Sequence, residues 1–512
     1  GGLQAMAGSL AAASNGVGVY HIYGDETTCG EGYNMQQIPK TEQGIFGKIA
    51  ALMGESYTLH TPGALRECMR RGTSCVHHPY KAGPFFIMLP INTQPQKTCV
   101  NLATLPPSQT FPALVPADEG AFGDAVALIR SNAKVVIKAG GGTRAHAKAL
   151  RRFALKIGVP VVLSPGSSGV MMDAHVQNMH VGGSKGSISG NYAMQNAEVA
   201  IFIGSRGVCQ ADCSGVGYPN AKSVLNINGD YEDLAHYANT SVLPGDITAV
   251  LDQLVAALGE DTGIETRQDW IGSCAAKKDE WTKFKKERVN SAPLYDEVWQ
   301  QPVLTEPAAI YTVSSFANKN GAIKFFDAGD VQANGFQIVE DDAPGQTFTE
   351  TGASFMGFSG SALLGSAYVN DSKYGIAFTG DGSFMMNPQI LIDGVEHGVR
   401  GMIALFDNRR MAAITGLQYD QYGKEFKTND SVPVDYVAMA GSVTGVKAIH
   451  AGFTKGTLET ALKEAFDHDG LSFLHIPVYS GRDPIAGMGA YGSWNVGNWV
   501  DDVQATYLKI KI

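Results

Sequence analysis

The chain has 512 residues, 44% of them hydrophobic and 17% charged, with a formal net charge of −10 at neutral pH. That length suggests about three domains with sizeable cores. The acid excess argues against a nucleic-acid polyanion as partner, and no stretch is apolar and long enough to span a bilayer.

Glycine is abundant, at 61 residues, without the repeat of a collagen. Tight strand-to-helix turns of an α/β protein account for such a content. The seven cysteines are odd in number and scattered. Cys209 and Cys213 have no second pair at zinc-finger spacing, so all seven read as reduced thiols of a cytoplasmic protein. The first ten residues, GGLQAMAGSL, hold neither an initiator methionine nor a signal-peptide pattern. They read like the middle of a domain.

In chain order, a first unit over 1–105 opens with an Ala-rich helix. A strand over 17–24 (VGVYHIYG), a helix near 63–73 and a buried strand over 83–91 (GPFFIMLPI) follow. The Pro-rich stretch 100–118 reads as a linker. A second unit over 119–260 alternates helix 120–131, strand 133–142, helix 143–157, strand 159–164, helix 190–197, strands 199–205 and 222–228, and helix 246–258. A charged helix over 265–289 leads to a third unit over 300–480. Its strands are expected at 322–328, 374–380, 401–407, 445–452 and 471–478. A Gly- and Trp-rich tail, 481–512, closes the chain. Short apolar strands alternating with helices predict α/β architecture: three consecutive doubly wound parallel sheets.

The densest chemistry lies in the third unit. FTGDGSFMMNPQ (378–389) places Asp381 between Gly380 and Gly382, just past a strand, and Asp407-Asn408 follows the next strand. One strand–helix–strand step separates Asp381 from Asn408, so they are expected side by side where open parallel sheets bind ligands. Two hard oxygen ligands at adjacent strand ends suit Mg²⁺, which completes its octahedron with water and phosphate oxygens. The backbone N–H groups of Gly382 and Ser383 face whatever anion the metal holds. The expected ligand is a magnesium-bridged diphosphate.

GDG, this spacing and the following DN resemble the cofactor motif of the thiamine-diphosphate enzymes, with Asp407 where the family carries an Asn. The resemblance implies thiamine diphosphate and Mg²⁺ as cofactors, with Asp381, Asn408 and the carbonyl of Arg410 holding the metal. GASFMGFSGSALLGSAY (352–368) resembles the segment that supports the bent cofactor. Met356 is implied as the wedge and the Ser354 carbonyl as acceptor for its amine. DAGDVQAN (327–334), with Gly329 and Asp330, falls where the family contacts the diphosphate, through backbone alone since Asp330 would repel it. The first unit is similar to the rear part of the pyrimidine-binding domain, with Gln36 (or Gln37) facing the cofactor. Gln36 and Met356 are thus the implied catalytic-site positions.

The family's catalytic Glu precedes a GPG-like turn that would fall at Gly1-Gly2, so its position is not in this sequence. An omitted N-terminal segment, a separate polypeptide and a natural truncation all remain open. The second unit resembles the family's central domain; AGGGTR (139–144) lacks a full dinucleotide fingerprint, so FAD is possible but not favoured.

The tail YGSWNVGNWVDDVQATY resembles that of the trihydroxycyclohexane-1,2-dione hydrolases of inositol catabolism, and would act either as a lid or as surface packing. The core resembles acetolactate synthases equally well. The function implied is cleavage of a C–C bond next to a ketone, hydrolysing a cyclic 1,2-diketone. The alternatives are an acetolactate-synthase-type carboligase, a 2-keto-acid decarboxylase, or a non-catalytic cofactor-binding relative. Arg409 and Arg410 suit an anionic substrate group, or else face solvent. The resemblance also implies a homodimer or homotetramer with sites shared between subunits, a small ketone substrate, and no nucleic-acid or membrane partner.

Overall fold

A computed structural model describes residues 5–29, 42–108, 110–213, 215–428, 432–489 and 501–512. It divides into two compact units, Gly1–Ala113 and Leu114–Ile512. Gln36 and Gln37 lie outside the described residues, as does most of the Trp-rich part of the tail.

The first unit holds a three-stranded parallel sheet of β1 (Val19–Asp25), β2 (Glu55–Thr58) and β3 (Pro84–Pro90), in the order β1-β3-β2. The strand PFFIMLP is central because it is apolar on both faces. Phe86 and Met88 join Ala50 and Met53 on one side, while Phe85 and Ile87 join Leu59 and Cys68 on the other. β2 was not expected from the sequence.

Two six-stranded sheets, parallel throughout, make up the second unit. The first contains β4 (Val135–Ala139), β5 (Val161–Leu163), β6 (Asn178–Val181), β7 (Val199–Ile203), β8 (Ser223–Asn228) and β9 (Thr240–Pro244), in the order β6-β5-β4-β7-β8-β9. Period-two alternation sends Val135, Ile137 and Ala139 to one core and Val136 to the other. The expected helix 143–157 begins as 3₁₀ turns over Gly141–His146 and becomes α-helical only at Ala147–Ile157. The glycines there serve close backbone approach: a Cβ on Gly140 would lie 2.2 Å from the Gly204 carbonyl oxygen.

Helix Gln268–Val289 and a two-stranded hairpin, β10 (Leu294–Asp296) and β11 (Gln301–Val303), lead to the last sheet. That sheet contains β12 (Ile323–Phe326), β13 (Thr347–Thr349), β14 (Gly375–Gly380), β15 (Gly401–Asp407), β16 (Lys447–His450) and β17 (Leu471–Pro477), in the order β13-β12-β14-β15-β17-β16. All seven residues of β15, GMIALFD, are buried, as expected for a central strand covered on both faces. The chain runs outward from β12 to β13 and then returns to add β14 and β15 on the other side. The strand order therefore reverses between β12 and β14, and the crevice at the carboxyl ends there is the topological switch point.

The seven cysteines form no disulfide. Among the described residues, no helix is long and apolar enough to cross a membrane.

Candidate active site at the third sheet

Four chain segments meet at this switch point, and a buried acid ties three of them together. β12 ends at Phe326, and Asp327 begins the turn into helix Asp330–Ile338. Asp327 is 1% exposed. Its Oδ1 accepts from the backbone N–H groups of Ala328 (2.9 Å) and Gly357 (2.8 Å). Its Oδ2 accepts from the hydroxyls of Ser359 and Thr379, both at 2.9 Å. One carboxylate thereby ties the turn after β12 to the 350s loop and to β14. Burial raises its pKa, and those hydrogen bonds oppose the rise.

β14 ends at Gly380, and Asp381 opens the short helix Asp381–Phe384. Asp381 is buried, and its Oδ1 accepts from the Gly382 N–H at 2.8 Å. The Ser383 hydroxyl donates to the Ala328 carbonyl at 3.2 Å, which stitches this helix to the turn after β12. Gly380 pairs with Phe406 in the β14–β15 register, so Asp381 and the residues after β15 leave the sheet at the same level.

After β15 the chain makes two successive side-chain-to-backbone turns. Asp407 Oδ1 accepts from the Arg409 N–H at 3.0 Å, and Asn408 Oδ1 accepts from the Arg410 N–H at 3.1 Å. Arg409 takes a left-handed φ of 57°, which short Asx side chains favour in turns. Asp407, at the position where the sequence departs from the family's Asn, is fully buried. Its Oδ2 lies 2.8 Å from His475 Nε2 on β17.

The fourth segment is the loop after β13, where Glu350 precedes Ser354 and Met356. Ser354 has φ 53° and Gly357 has φ 91°.

These segments enclose a cavity of about 270 Å³. Gly329, Asp330, Ser354, Met356, Gly380, Asp381, Gly382, Ser383, Asn408 and Arg410 all line it. Of the positions singled out in the sequence for the cofactor site, Gln36 and its alternative Gln37 have no described place. The wall also contains Gln210, Met411, Ile414 and Leu417. Gln210 comes from the short helix after β7, and its amide nitrogen lies 3.5 Å from the Ser354 hydroxyl. The lining combines glycine turns, Asp381 and Asn408 with the apolar side chains of Met356, Met411, Ile414 and Leu417. Gly329 holds φ 97°, and a Cβ on Gly382 would stand 3.5 Å from the Met356 methyl. Both glycines thus keep backbone open to a ligand.

The side chain of Arg410 is 18% exposed, with Glu425 3.9 Å away. Glu425 is also bonded by Arg482, whose guanidinium lies over the Tyr419 ring at 3.9 Å. Arg410 and Arg482 thus share the one carboxylate of Glu425.

Sequence reasoning missed Gln210, Glu306, Asp327, Glu350 and His475. Asp327 carried a signal: it is an acid at a strand's carboxyl end, like Asp381. Gln210, Glu306 and His475 are remote in sequence from the residues they touch, whereas the contacts of Glu350 are local.

Glu306 opens helix Glu306–Lys319, whose first turn is capped by the Thr305 hydroxyl. It is 3% exposed, and its Oε1 makes no hydrogen bond among the described residues. Burial first, then the neighbouring Asp330 and Asp381 carboxylates, hold its pKa well above the usual carboxylate range. A raised acid pKa means the folded state retains a proton that the unfolded chain releases above about pH 4.5. The fold therefore loses stability as pH rises, by up to about 1.4 kcal/mol per pH unit until the folded pKa is reached. Glu306→Gln, without added metal, is expected to melt higher than the wild type at pH 8 and to lose that advantage towards pH 4.5. Thermal melts across this range check it; an advantage that grows on acidification contradicts it.

Comparison with known proteins agrees with this geometry. Residues 327–476 match the C-terminal TPP binding domain of the thiamine pyrophosphate enzymes, and residues 122–254 match their central domain. All the cavity residues except Gln210 lie in the first match, and Gln210 lies in the second. The chain is 24% identical over 459 residues to the 3D-(3,5/4)-trihydroxycyclohexane-1,2-dione hydrolase of Bacillus velezensis, covering 85% of this chain and 70% of that protein. It is 26% identical over 346 residues to the acetolactate synthase isozyme 1 large subunit of Escherichia coli, covering 65% and 56%. A probable acetolactate synthase large subunit of Methanococcus aeolicus is 24% identical over 407 residues, covering 76% and 66%. The two domain matches together span more than half of the chain, which belongs to the thiamine pyrophosphate enzyme family.

Proposed function

We propose that the chain is a thiamine-diphosphate- and Mg²⁺-dependent enzyme that cleaves a C–C bond next to a ketone, hydrolysing a cyclic 1,2-diketone. The observation that carries this reading is the cavity at the switch point, where Asp381 and Asn408 meet two glycine turns. The residues fit such a group. Asp381 would give Mg²⁺ its one charged ligand, with the Asn408 amide oxygen and the Arg410 carbonyl beside it. Phosphate oxygens and water would complete the octahedron.

Thiamine diphosphate, when bound, supplies the carbon nucleophile and the electron sink for the bond cleavage. The chain's own residues bind and orient. The turns at Gly329 and at Gly380–Ser383 would offer backbone N–H groups to the diphosphate. Met356, with its flexible thioether, would support the cofactor from the cavity wall. The Ser354 carbonyl would accept from the cofactor's amine. Met411, Ile414 and Leu417 keep the substrate end dry, which strengthens the polar contacts inside.

A cavity of about 270 Å³ is at the small end of ligand pockets, which run from roughly 300 Å³ upward. It suits part of this cofactor, and the remainder would lie against the pyrimidine-binding half of a second copy. Homodimer or homotetramer is the state proposed for activity.

The test is product analysis of the purified protein with thiamine diphosphate and Mg²⁺. The expected result is ring opening of a cyclic 1,2-diketone and no turnover of pyruvate. Acetolactate from pyruvate would make the enzyme a carboligase, and CO₂ alone a decarboxylase. Tight cofactor binding with no turnover of either substrate would make it a non-catalytic relative.

A further inference from the structure

Glu350 is 3% exposed and does not line the cavity, yet it organises the loop that does. Its Oε1 accepts from the N–H groups of Gly352 (2.7 Å) and Ala353 (2.9 Å), and its Oε2 accepts from the N–H of Phe355 (3.1 Å). The Glu350 carbonyl accepts from the Gln332 amide at 3.0 Å, which fixes the acid's own backbone. Gly352, Ala353 and Phe355 lie outside helix and strand, so no regular ladder supplies acceptors for these N–H groups. The acid does, through hydrogen bonds strengthened by its charge.

The geometry has a purpose at Ser354. Its φ of 53° is left-handed, a conformation that costs any residue with a Cβ. The carboxylate grips the N–H on each side of it, at Ala353 and Phe355, and so bridges the strained residue. Ser354 and Met356, two positions apart, both reach the cavity wall.

We infer that Glu350 is a positioning residue for the thiamine end of the site: its carboxylate holds Ser354 left-handed and keeps Met356 at the cavity wall. This rests on the proposed function. The diphosphate end is built from other segments, at Gly329 and Gly380–Ser383, whereas the three N–H groups gripped by the Glu350 carboxylate all lie in the 350s loop. The two ends can therefore be probed separately.

Calorimetry with Mg²⁺ and either thiamine diphosphate or inorganic diphosphate makes the test, on the wild type, Glu350→Gln and Glu350→Gln/Ser354→Gly. Gln keeps the shape of the acid but offers Phe355 an N–H₂ group in place of an acceptor. Glu350→Gln is expected to weaken thiamine diphosphate tenfold or more and to leave inorganic diphosphate within twofold. Adding Ser354→Gly relieves the strain and is expected to restore part of the loss. Amide hydrogen exchange is expected to quicken over 352–355 and not elsewhere. Should Glu350→Gln fail to fold, Glu350→Asp replaces it, because the shorter acid cannot span Ser354. Equal weakening of both probes, or of neither, overturns the inference. A wild type that binds neither probe overturns the proposed cofactor site itself.

Discussion

Asp381→Ala is expected to abolish Mg²⁺-dependent binding of thiamine diphosphate, with a loss of at least about a hundredfold. Removing residues that merely orient a metal ligand costs about 10–100-fold, and Asp381 is proposed as a ligand itself. It is also the only charged one in the proposed set, since Asn408 contributes an amide and Arg410 a carbonyl. Asn408→Ala is accordingly expected to weaken binding less.

The loss at Asp381 does not pass through unfolding. Asp381 is a buried carboxylate whose charge helps push up the pKa of Glu306. Deleting it takes the acceptor from the Gly382 N–H but relieves repulsion among buried acids, so the metal-free variant is expected to melt close to the wild type. Calorimetry at saturating Mg²⁺, beside a thermal melt without it, separates the two effects. Retained binding contradicts the metal assignment; lost binding with a lowered melt shows that Asp381 serves the fold instead.

The sheets were legible in the sequence where strands are buried on both faces. VAIFI, GIAFTG and GMIALFD are short and apolar, and they stand between helical patterns. β6 and β13 were not, for physical reasons. β6 reads NMHV, with two polar residues satisfied by tertiary contacts, and β13 is three residues at a sheet edge. The C-terminal part of the site was legible because GDG and DN are local motifs whose separation matches one strand–helix–strand step. Asp407 was legible as a departure, but its partner His475 was not. That contact depends on β15 lying beside β17, and residue spacing does not encode a neighbour 68 positions away. Gln210 was hidden for the same reason, since it reaches the cavity from another sheet. Glu350 was hidden differently: its three contacts are local, but one acid before a glycine-containing loop is too common a pattern to single out.

Asp327 predicts the largest effect on stability. Asp327→Ala leaves the Ala328 and Gly357 N–H groups without their acceptor and frees the Ser359 and Thr379 hydroxyls. Hydroxyls can turn towards other acceptors, whereas backbone N–H groups cannot. A buried unsatisfied donor costs about 1–3 kcal/mol, so the two N–H groups and the lost packing give on the order of 3–5 kcal/mol. The apparent melting temperature of the variant is expected to fall by roughly 10 °C. Asp327 ties three of the cavity-forming segments together, so thiamine diphosphate binding is expected to vanish with it. Asp327→Asn keeps one acceptor oxygen and is expected to fall between the variant and the wild type. The contrast with Asp381 is the informative part. Both acids sit at carboxyl ends of neighbouring strands, and both are buried. Asp327 spends its oxygens on four protein donors, while Asp381 faces the cavity. Deleting the first should melt the site, and deleting the second should empty it. A melt for Asp327→Ala that matches the wild type would show that these turns hold their shape without the shared carboxylate.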